Sequence, residues 1–310
     1  PLDILFKKYF YFSSTINTLI KHFFDLSKIV SKKYLKDGGN VLEIGCNDGV
    51  FLNHMVKKSG VNCIGVDPAK NVIKKISNKK INAYNKPFNL ELAKKIKLRF
   101  DKIDLIVSSF SFGHIDNMKS VAEGIDFLLD KNGTFIFEIY YLGTVIKELQ
   151  YDMMYHEHMT YYTIKSLKKF LSKHNLRIFN IEKIKLRSGS LRFSCCRLKH
   201  KRTDSKNVEK YTGDENKNGF NKLSYLNNYN KKIYKTKTEI IKIIKKLKKN
   251  NKTIYGYGAS GRGTIIMNYC KLDKTVLDYV VDDAPAKRGK YTPGTHVKII
   301  SWDDLKKVGY

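Results

Sequence analysis

Long apolar runs are what this sequence most plainly lacks. No stretch of its 310 residues approaches the roughly 20 apolar residues that a membrane-crossing helix needs. The best candidate, IDLIVSSFSFG from Ile103, is short and flanked by charge, and reads as a buried strand. The opening residues, PLDILFKKYF, lack the charged start, apolar middle and small-residue cleavage site of a secretory leader. A cytoplasmic protein is the expectation. Cysteines are few: Cys46, Cys63, Cys195, Cys196 and Cys270, with no CxxC pair among them. That spacing excludes the usual zinc motifs, and scattered thiols in odd number suit a reducing compartment. Acidic residues are scarce too, 29 Asp and Glu against 59 Lys and Arg, for a net charge of +30.

Such a charge attracts phosphates, which raises nucleic-acid binding as a function class. The lysines, however, are dispersed from end to end rather than gathered into a stripe with interleaved aromatics. A Lys- and Asn-rich composition bias covering every solvated face explains them better, so a nucleic-acid partner is not favoured. A basic cleft for an anionic substrate such as a sugar nucleotide is the moderate form of the same idea. Hydrophobic residues make up 42% of the chain, enough for globular domains with real cores.

The patterning divides the chain into five segments. Residues 1–37 are amphipathic and helical. Residues 38–140 alternate strand and helix: NVLEIG, VNCIGVD, KIDLIVSSFSF and GTFIFEIYY are apolar strand runs, and the alternation predicts a doubly wound parallel α/β sheet. Residues 141–200 form a connection followed by a helix (IKSLKKFLSKHNL) and two strands (RIFNIEKIKL, SLRFSCCRL). The polar stretch 201–218 predicts a loop or linker, and 221–250 one long Lys-rich helix. From 251 the pattern restarts as strand, Gly-rich turn and helix, a second and partial Rossmann-like unit.

Each α/β segment carries a strand-to-helix turn. In the first, Glu43–Gly49 reads EIGCNDG, with Gly45 and Gly49 where the backbone must approach a ligand. The GxGxxG of dinucleotide sites is missing, and Glu43, Asn47 and Asp48 stand in its place. An acidic turn repels a diphosphate but suits the ammonium and ribose hydroxyls of S-adenosylmethionine (SAM). Asp67 ends the next strand about 20 residues on, where a carboxylate accepts from both ribose hydroxyls. The pattern resembles class I methyltransferases. Phe88 and Ser109 count as further candidate cofactor contacts. The second turn, GYGASGRG from Gly256 to Gly263, keeps GxGxxG intact. It suits a dinucleotide, the diphosphate of a nucleotide sugar, or a purely structural role. Asp282, at the end of the following strand, is compatible with either ligand.

The densest cluster of chemistry is YDMMYHEHMTYYT, residues 151–163. His156, Glu157 and His158 are possible metal ligands, yet no cysteine or further His-rich spacing accompanies them. General acid–base work fits better: a histidine near neutrality takes a proton from carbon beside a ketone. Glu157 can fix a neighbour's tautomer, and tyrosines can bond a developing enolate.

At this point the residues carry a resemblance. YHEHMTYYT, with SGSLR (Ser188–Arg192), YGASGRG and DDAPAKRGKYTPGTHVKI, resembles the SAM-dependent C-methyltransferases that act on nucleotide-linked 4-keto-deoxysugars. FKKYFYFSS and SFGHID match the same family's order. The resemblance implies that His158 is the base, that Tyr155 and Glu157 position it or bind sugar, and that His114 and Tyr9 line the sugar site. Ser190, Arg192 and the residues Gly258, Ser260, Arg262 and Gly263 are the candidates for the sugar-nucleotide side. It also implies a four-cysteine zinc domain ahead of the methyltransferase domain and a longer C-terminal domain, so the chain reads as a piece of a longer protein, with zinc only in the part not present. Phe110 stands where the family usually has Asn, and Ser188-Gly189 replaces a double glycine. A small-molecule O-methyltransferase and a basic nucleic-acid-binding protein are the alternative readings.

Overall fold

A computed structural model describes residues 6, 9–35, 38–186, 189–220 and 222–308. Lys7 and Lys8 of FKKYFYFSS and Ser188 of SGSLR lie outside them. The chain divides into two compact units, residues 1–144 with 160–218, and residues 145–159 with 219–310.

The first unit is built on a seven-stranded sheet. In chain order the strands are β1 (Gly39–Ile44), β2 (Val61–Val66), β3 (Ile81–Tyr84), β4 (Ile103–Ser109), β5 (Leu129–Ile139), β6 (Leu176–Lys183) and β7 (Leu191–Arg197). Their spatial order is β3-β2-β1-β4-β5-β7-β6. Strands β1 to β5 pair in parallel, whereas β7 runs antiparallel to both β5 and β6. The sheet is therefore mixed at one edge rather than parallel throughout. The two edge strands could be read from their apolar runs, but period-two patterning carries no sign of direction.

Central parallel strands bury both faces, and their sequences show it: Val41, Leu42, Leu105, Ile106 and Val107 are fully buried. Helix α1 (Asn17–Tyr34) lays Leu19, Phe23, Leu26 and Val30, spaced at helical intervals, onto one face with Phe51, Leu52 and Met55 of α2 (Val50–Met55). Elsewhere in the unit Phe112, Phe135, Phe137 and Phe193 stack ring on ring, with the Phe137 and Phe193 centroids 5.0 Å apart. Helices α3 (Leu90–Lys97) and α4 (Met118–Leu128) begin at Asn89 and Asn117, whose side chains cap them.

The loop expected over 201–218 is mostly helix: α6 spans Lys206–Asn218, after α5 (Ile164–Ser172). Its sequence hides it, because only Val208 and Glu215 are buried. Glu215 supplies the physical reason. Its carboxylate accepts from the amides of Ile164 (2.5 Å) and Lys165 (3.0 Å) and from the Tyr141 hydroxyl (2.8 Å). An acid from α6 thus satisfies the open donors at the start of α5, at the end of the helix dipole that favours negative charge.

The second unit has a three-stranded parallel sheet, β8 (Tyr255–Tyr257), β9 (Tyr279–Val281) and β10 (Ile299–Ile300), in the order β10-β9-β8. Helices α7 (Leu223–Lys249) and α8 (Gly261–Cys270) contribute to a small core of Ile240, Ile244, Met267, Cys270, Val280 and Val297. Residues 145–159 belong to this unit, and within them Tyr151–Met153 form a single 3₁₀ turn. Among the described residues no helix is long and apolar enough to cross a membrane.

Candidate active site

In the first unit the chain turns sharply where β1 ends. Gly45 has φ 75°, and a Cβ there would lie 2.4 Å from the Ser111 Cβ, so no larger residue fits. Gly49 (φ 79°) then opens α2. Asp67 anchors the turn: its carboxylate accepts from the Asn47 amide (2.9 Å) and the Ala69 amide (2.8 Å). A carboxylate has about four acceptor positions, so two remain for hydroxyls.

The predicted cofactor residues Glu43, Gly45, Asn47, Asp48, Gly49 and Asp67 are thus gathered at one end of the sheet. Asn47 and Asp48 also do something the sequence did not reveal. The Asn47 side chain accepts from the Ser13 amide (2.8 Å) and donates to the Tyr11 carbonyl (3.0 Å), while Asp48 accepts from the Ser14 amide (3.2 Å). With two bonds between the Asn71 side chain and the Tyr9 backbone, this runs residues 9–14 across the turn. Phe88 is buried against α4, where a Cβ on Gly124 would lie 3.1 Å from its ring. Ser109 ends β4, and His114 closes a 3₁₀ turn just beyond.

The electrostatics of this turn are unusual. Glu43, Asp48 and Asp67 are all buried. Burial, with the charges of Asp67, Asp48 and Glu138, pushes the Glu43 carboxyl well above the ordinary range. Burial also raises Asp67, outweighing the two amides that favour its charged form. Among the described residues, the buried atoms Glu43 Oε2 and Asp48 Oδ1 have no hydrogen-bond partner. Acids held this way, beside a backbone cradle, fit a ligand that brings positive charge and hydroxyl donors, as SAM does.

Arg192, expected on the sugar-nucleotide side, has its charge answered within the first unit. Its Nε donates to Glu138 (2.8 Å), and Glu182 lies 3.5 Å from another of its nitrogens. His22 Nε2 meets the other Glu138 oxygen at 2.8 Å. Burial alone would raise Glu138, but His22 and Arg192 together hold it below the ordinary range. Ser190 is buried beside it in sequence, its carbonyl accepting from Ile184. Sequence reading missed His22 and Glu138, since nothing in the pattern joins positions 116 residues apart.

The cluster from Tyr155 to His158 lies in the second unit. His158 is buried, and its Nδ1 sits 2.8 Å from the Met153 carbonyl. A carbonyl only accepts, so Nδ1 carries the proton and the lone pair of the neutral ring is on Nε2. The orienting role the sequence suggested for Glu157 therefore falls at Nδ1 to a backbone carbonyl, which leaves no residue-type signal. The Tyr155 ring packs on the His158 ring with centroids 4.2 Å apart. Glu157 is half-buried and His156 exposed. Among the described residues, no group of three or more His, Cys, Asp or Glu side chains is arranged to hold a metal ion.

Of the other substrate candidates, Gly258, Ser260, Arg262 and Gly263 all belong to this second unit, and Ser190 and Arg192 to the first. Ser260 caps α8, accepting from the Gly263 amide at 3.0 Å. Arg262 donates from Nε to Asp152 at 2.7 Å. Asp282 accepts from the Ala259 and Ala284 amides, both at 2.9 Å, and from Lys287 at 2.7 Å.

Comparison with known proteins adds to this geometry. Residues 18–181 match a methyltransferase domain, and residues 185–309 match a C-methyltransferase C-terminal domain. The chain is 26% identical over 309 residues to the C-methyltransferase NovU of Streptomyces niveus, which covers 99% of this chain and 73% of that protein. It is 28% identical over 154 residues to malonyl-(acyl-carrier protein) O-methyltransferase 2 of Ilyobacter polytropus, covering 47% of this chain and 58% of that one. Among solved structures, it is similar to the plantazolicin methyltransferase BpumL in complex with SAH (TM-score 0.47, 13% identity, 60% and 87% of the two chains). It is also similar to the PH0226 protein from Pyrococcus horikoshii OT3 (TM-score 0.46, 15% identity, 60% and 95%).

Proposed function

We propose that this chain, which belongs to the methyltransferase-domain family matched over residues 18–181, is a C-methyltransferase whose substrate is a nucleotide-linked 4-keto-6-deoxyhexose, methylated at the carbon beside the ketone, with C3 as the expected position. The observation that carries this reading is the state of His158. A buried imidazole whose Nδ1–H is committed to a backbone carbonyl presents Nε2 as a proton acceptor.

Bound by the first unit, SAM would supply the electrophilic methyl group. The work of the residues is to make carbon nucleophilic. His158 Nε2 takes the proton from the carbon next to the ketone, and the electron pair left behind delocalises onto the ketone oxygen. A positioned base contributes roughly 10²- to 10⁴-fold in rate. Tyr155 and Glu157 are proposed to position the base or hold sugar hydroxyls. Tyr9 and His114 are proposed to line the sugar site or steady the enolate oxygen. The first turn of α8, from Ser260 to Gly263, offers end amides and a positive dipole end suited to a diphosphate. In the first unit, Asp67 would accept hydrogen bonds from the ribose hydroxyls, and Glu43 and Asp48 would face the ligand's positive charge.

The test is mass spectrometry of such a nucleotide sugar incubated with the protein and SAM in D₂O. Gain of one methyl on carbon, with deuterium entering beside the ketone, is the expected result. A methyl group on oxygen without carbon-bound exchange would instead establish an O-methyltransferase and overturn the reading.

A further inference from the structure

We infer that Arg262 and Asp152 are positioning residues for the base: their ion pair holds the carbonyl that sets the tautomer of His158. This rests on the proposal that His158 is the base, and it assigns Arg262 a task other than binding the substrate.

The observations form a short chain. Met153 supplies the carbonyl that accepts from His158 Nδ1. It is the last residue of the 3₁₀ turn Tyr151–Met153, and Asp152 is the middle one. A three-residue 3₁₀ turn has little stability of its own, and among the described residues its N-cap position shows no side-chain cap bond. Local amides close it, among them the Tyr155 amide on the Met153 carbonyl at 3.2 Å, and a contact distant in sequence adds to them. The Asp152 side chain is 12% exposed, and one of its oxygens meets Arg262 Nε at 2.7 Å across 110 residues. Arg262 lies in the first turn of α8, so a regular helix fixes the direction of the turn.

The same helical turn reaches the ring side of the base. A Cβ on Gly261 would lie 3.9 Å from the Tyr155 ring, and Tyr155 packs on His158. The observed route from α8 to His158 therefore runs from Arg262 through Asp152 and the turn to the Met153 carbonyl, and the start of the helix passes near the Tyr155 ring that packs on the base.

The chemical consequence concerns a single proton. While the Met153 carbonyl is aimed at Nδ1, that nitrogen keeps the hydrogen and Nε2 keeps the lone pair. If the carbonyl turns away, the neutral ring is released to place its hydrogen on Nε2, and an Nε2–H cannot accept a proton from carbon.

The experiment has a substrate-free arm and a turnover arm, both on the full chain. ¹⁵N-histidine-labelled protein is examined by long-range proton–nitrogen correlation under conditions where His158 is neutral, with the signal assigned by His158→Gln. Wild type is expected to show Nδ1–H alone. Asp152→Asn and Arg262→Met are each expected to give a mixture of tautomers, the double variant no more than either single, and Arg262→Lys a return toward wild type. In turnover, both single variants are expected to lower kcat on the order of 10- to 100-fold, by analogy with the groups that orient metal-ligating histidines, with KM for the nucleotide sugar unchanged. Nδ1–H retained in both single variants would overturn the proposal. So would a raised KM at intact kcat for Arg262→Met, which would return Arg262 to the substrate. Failure of the base assignment itself would show separately, as methylation by His158→Ala near the wild-type rate.

Discussion

The two glycine turns of this chain are built alike and balance their charge differently. In each, a strand runs into a tight turn and a helix, and an aspartate at the end of the next strand ties the turn down. Asp67 accepts from the amides of Asn47 and Ala69, and Asp282 from those of Ala259 and Ala284. The difference is one lysine. Lys287 bonds Asp282 at 2.7 Å, and although burial works the other way, the lysine and the two amides leave that carboxyl below its ordinary range. Asp67 has the amides but, among the described residues, no cation, and burial leaves it above the ordinary range beside two more buried acids. The backbone motif thus says where a ligand approaches, and the local charge balance says what kind. A turn with unanswered acids awaits a cation; one whose acid is already neutralised leaves the helix end to an anion.

Two buried glutamates of the first unit sharpen the contrast, and replacing the answered one has the largest expected effect. Glu138 is held between His22 and Arg192, and Glu138→Gln strands a buried guanidinium. A loss of about 3–5 kcal/mol is expected, in the range for breaking a buried pair, read from urea unfolding. Its pKa is depressed in the folded state, so the stability it contributes is present above the unfolded value of about 4.3 and is lost as pH falls through the folded value. The wild-type acid transition should carry this component and Glu138→Gln should not.

Glu43 is the converse. Its folded pKa is raised, so the stability it contributes is present below the unfolded value near 4.3 and lost as pH rises through the folded one. Glu43→Gln should therefore not destabilise the ligand-free protein at neutral pH. Calorimetry should show SAM binding weakened by roughly 10- to 100-fold, the worth of a hydrogen bond to a charged group. Equal damage to stability from both glutamate variants would break the distinction between structural and ligand-facing acids. The smallest effect is expected from Lys287→Met. The Lys287 side chain is 41% exposed, so stability should change by less than about 1 kcal/mol and SAM affinity not at all. The variant should nonetheless raise the Asp282 pKa, followed by carboxyl NMR, toward the situation of Asp67.

What could be read from the residues was what local pattern encodes. The apolar runs of β1, β2, β4 and β5, the two turns and the long helix α7 all announce themselves through period, glycine and length. The antiparallel edge and α6 do not, since direction leaves no mark in a short strand and α6 is held by Glu215, a charged residue that pattern reading assigns to solvent. The site divides the same way. EIGCNDG and the YHEH cluster were visible as residue types, whereas the Met153 carbonyl is backbone and leaves no such signal, and the Asp152–Arg262 pair and the Asn47 tie to Tyr11 and Ser13 exist only once distant segments meet.

The most direct measurement follows the hydrogen beside the ketone by NMR, in D₂O, with the nucleotide-linked 4-keto-6-deoxyhexose and S-adenosylhomocysteine in place of SAM, so that no methyl can move. Wild type should exchange that hydrogen at a catalysed rate, and His158→Ala should fall to the rate without enzyme while binding SAM as wild type does. Exchange that survives in His158→Ala, or never occurs with wild type that methylates the sugar, would contradict a carbon-acid mechanism with His158 as its base.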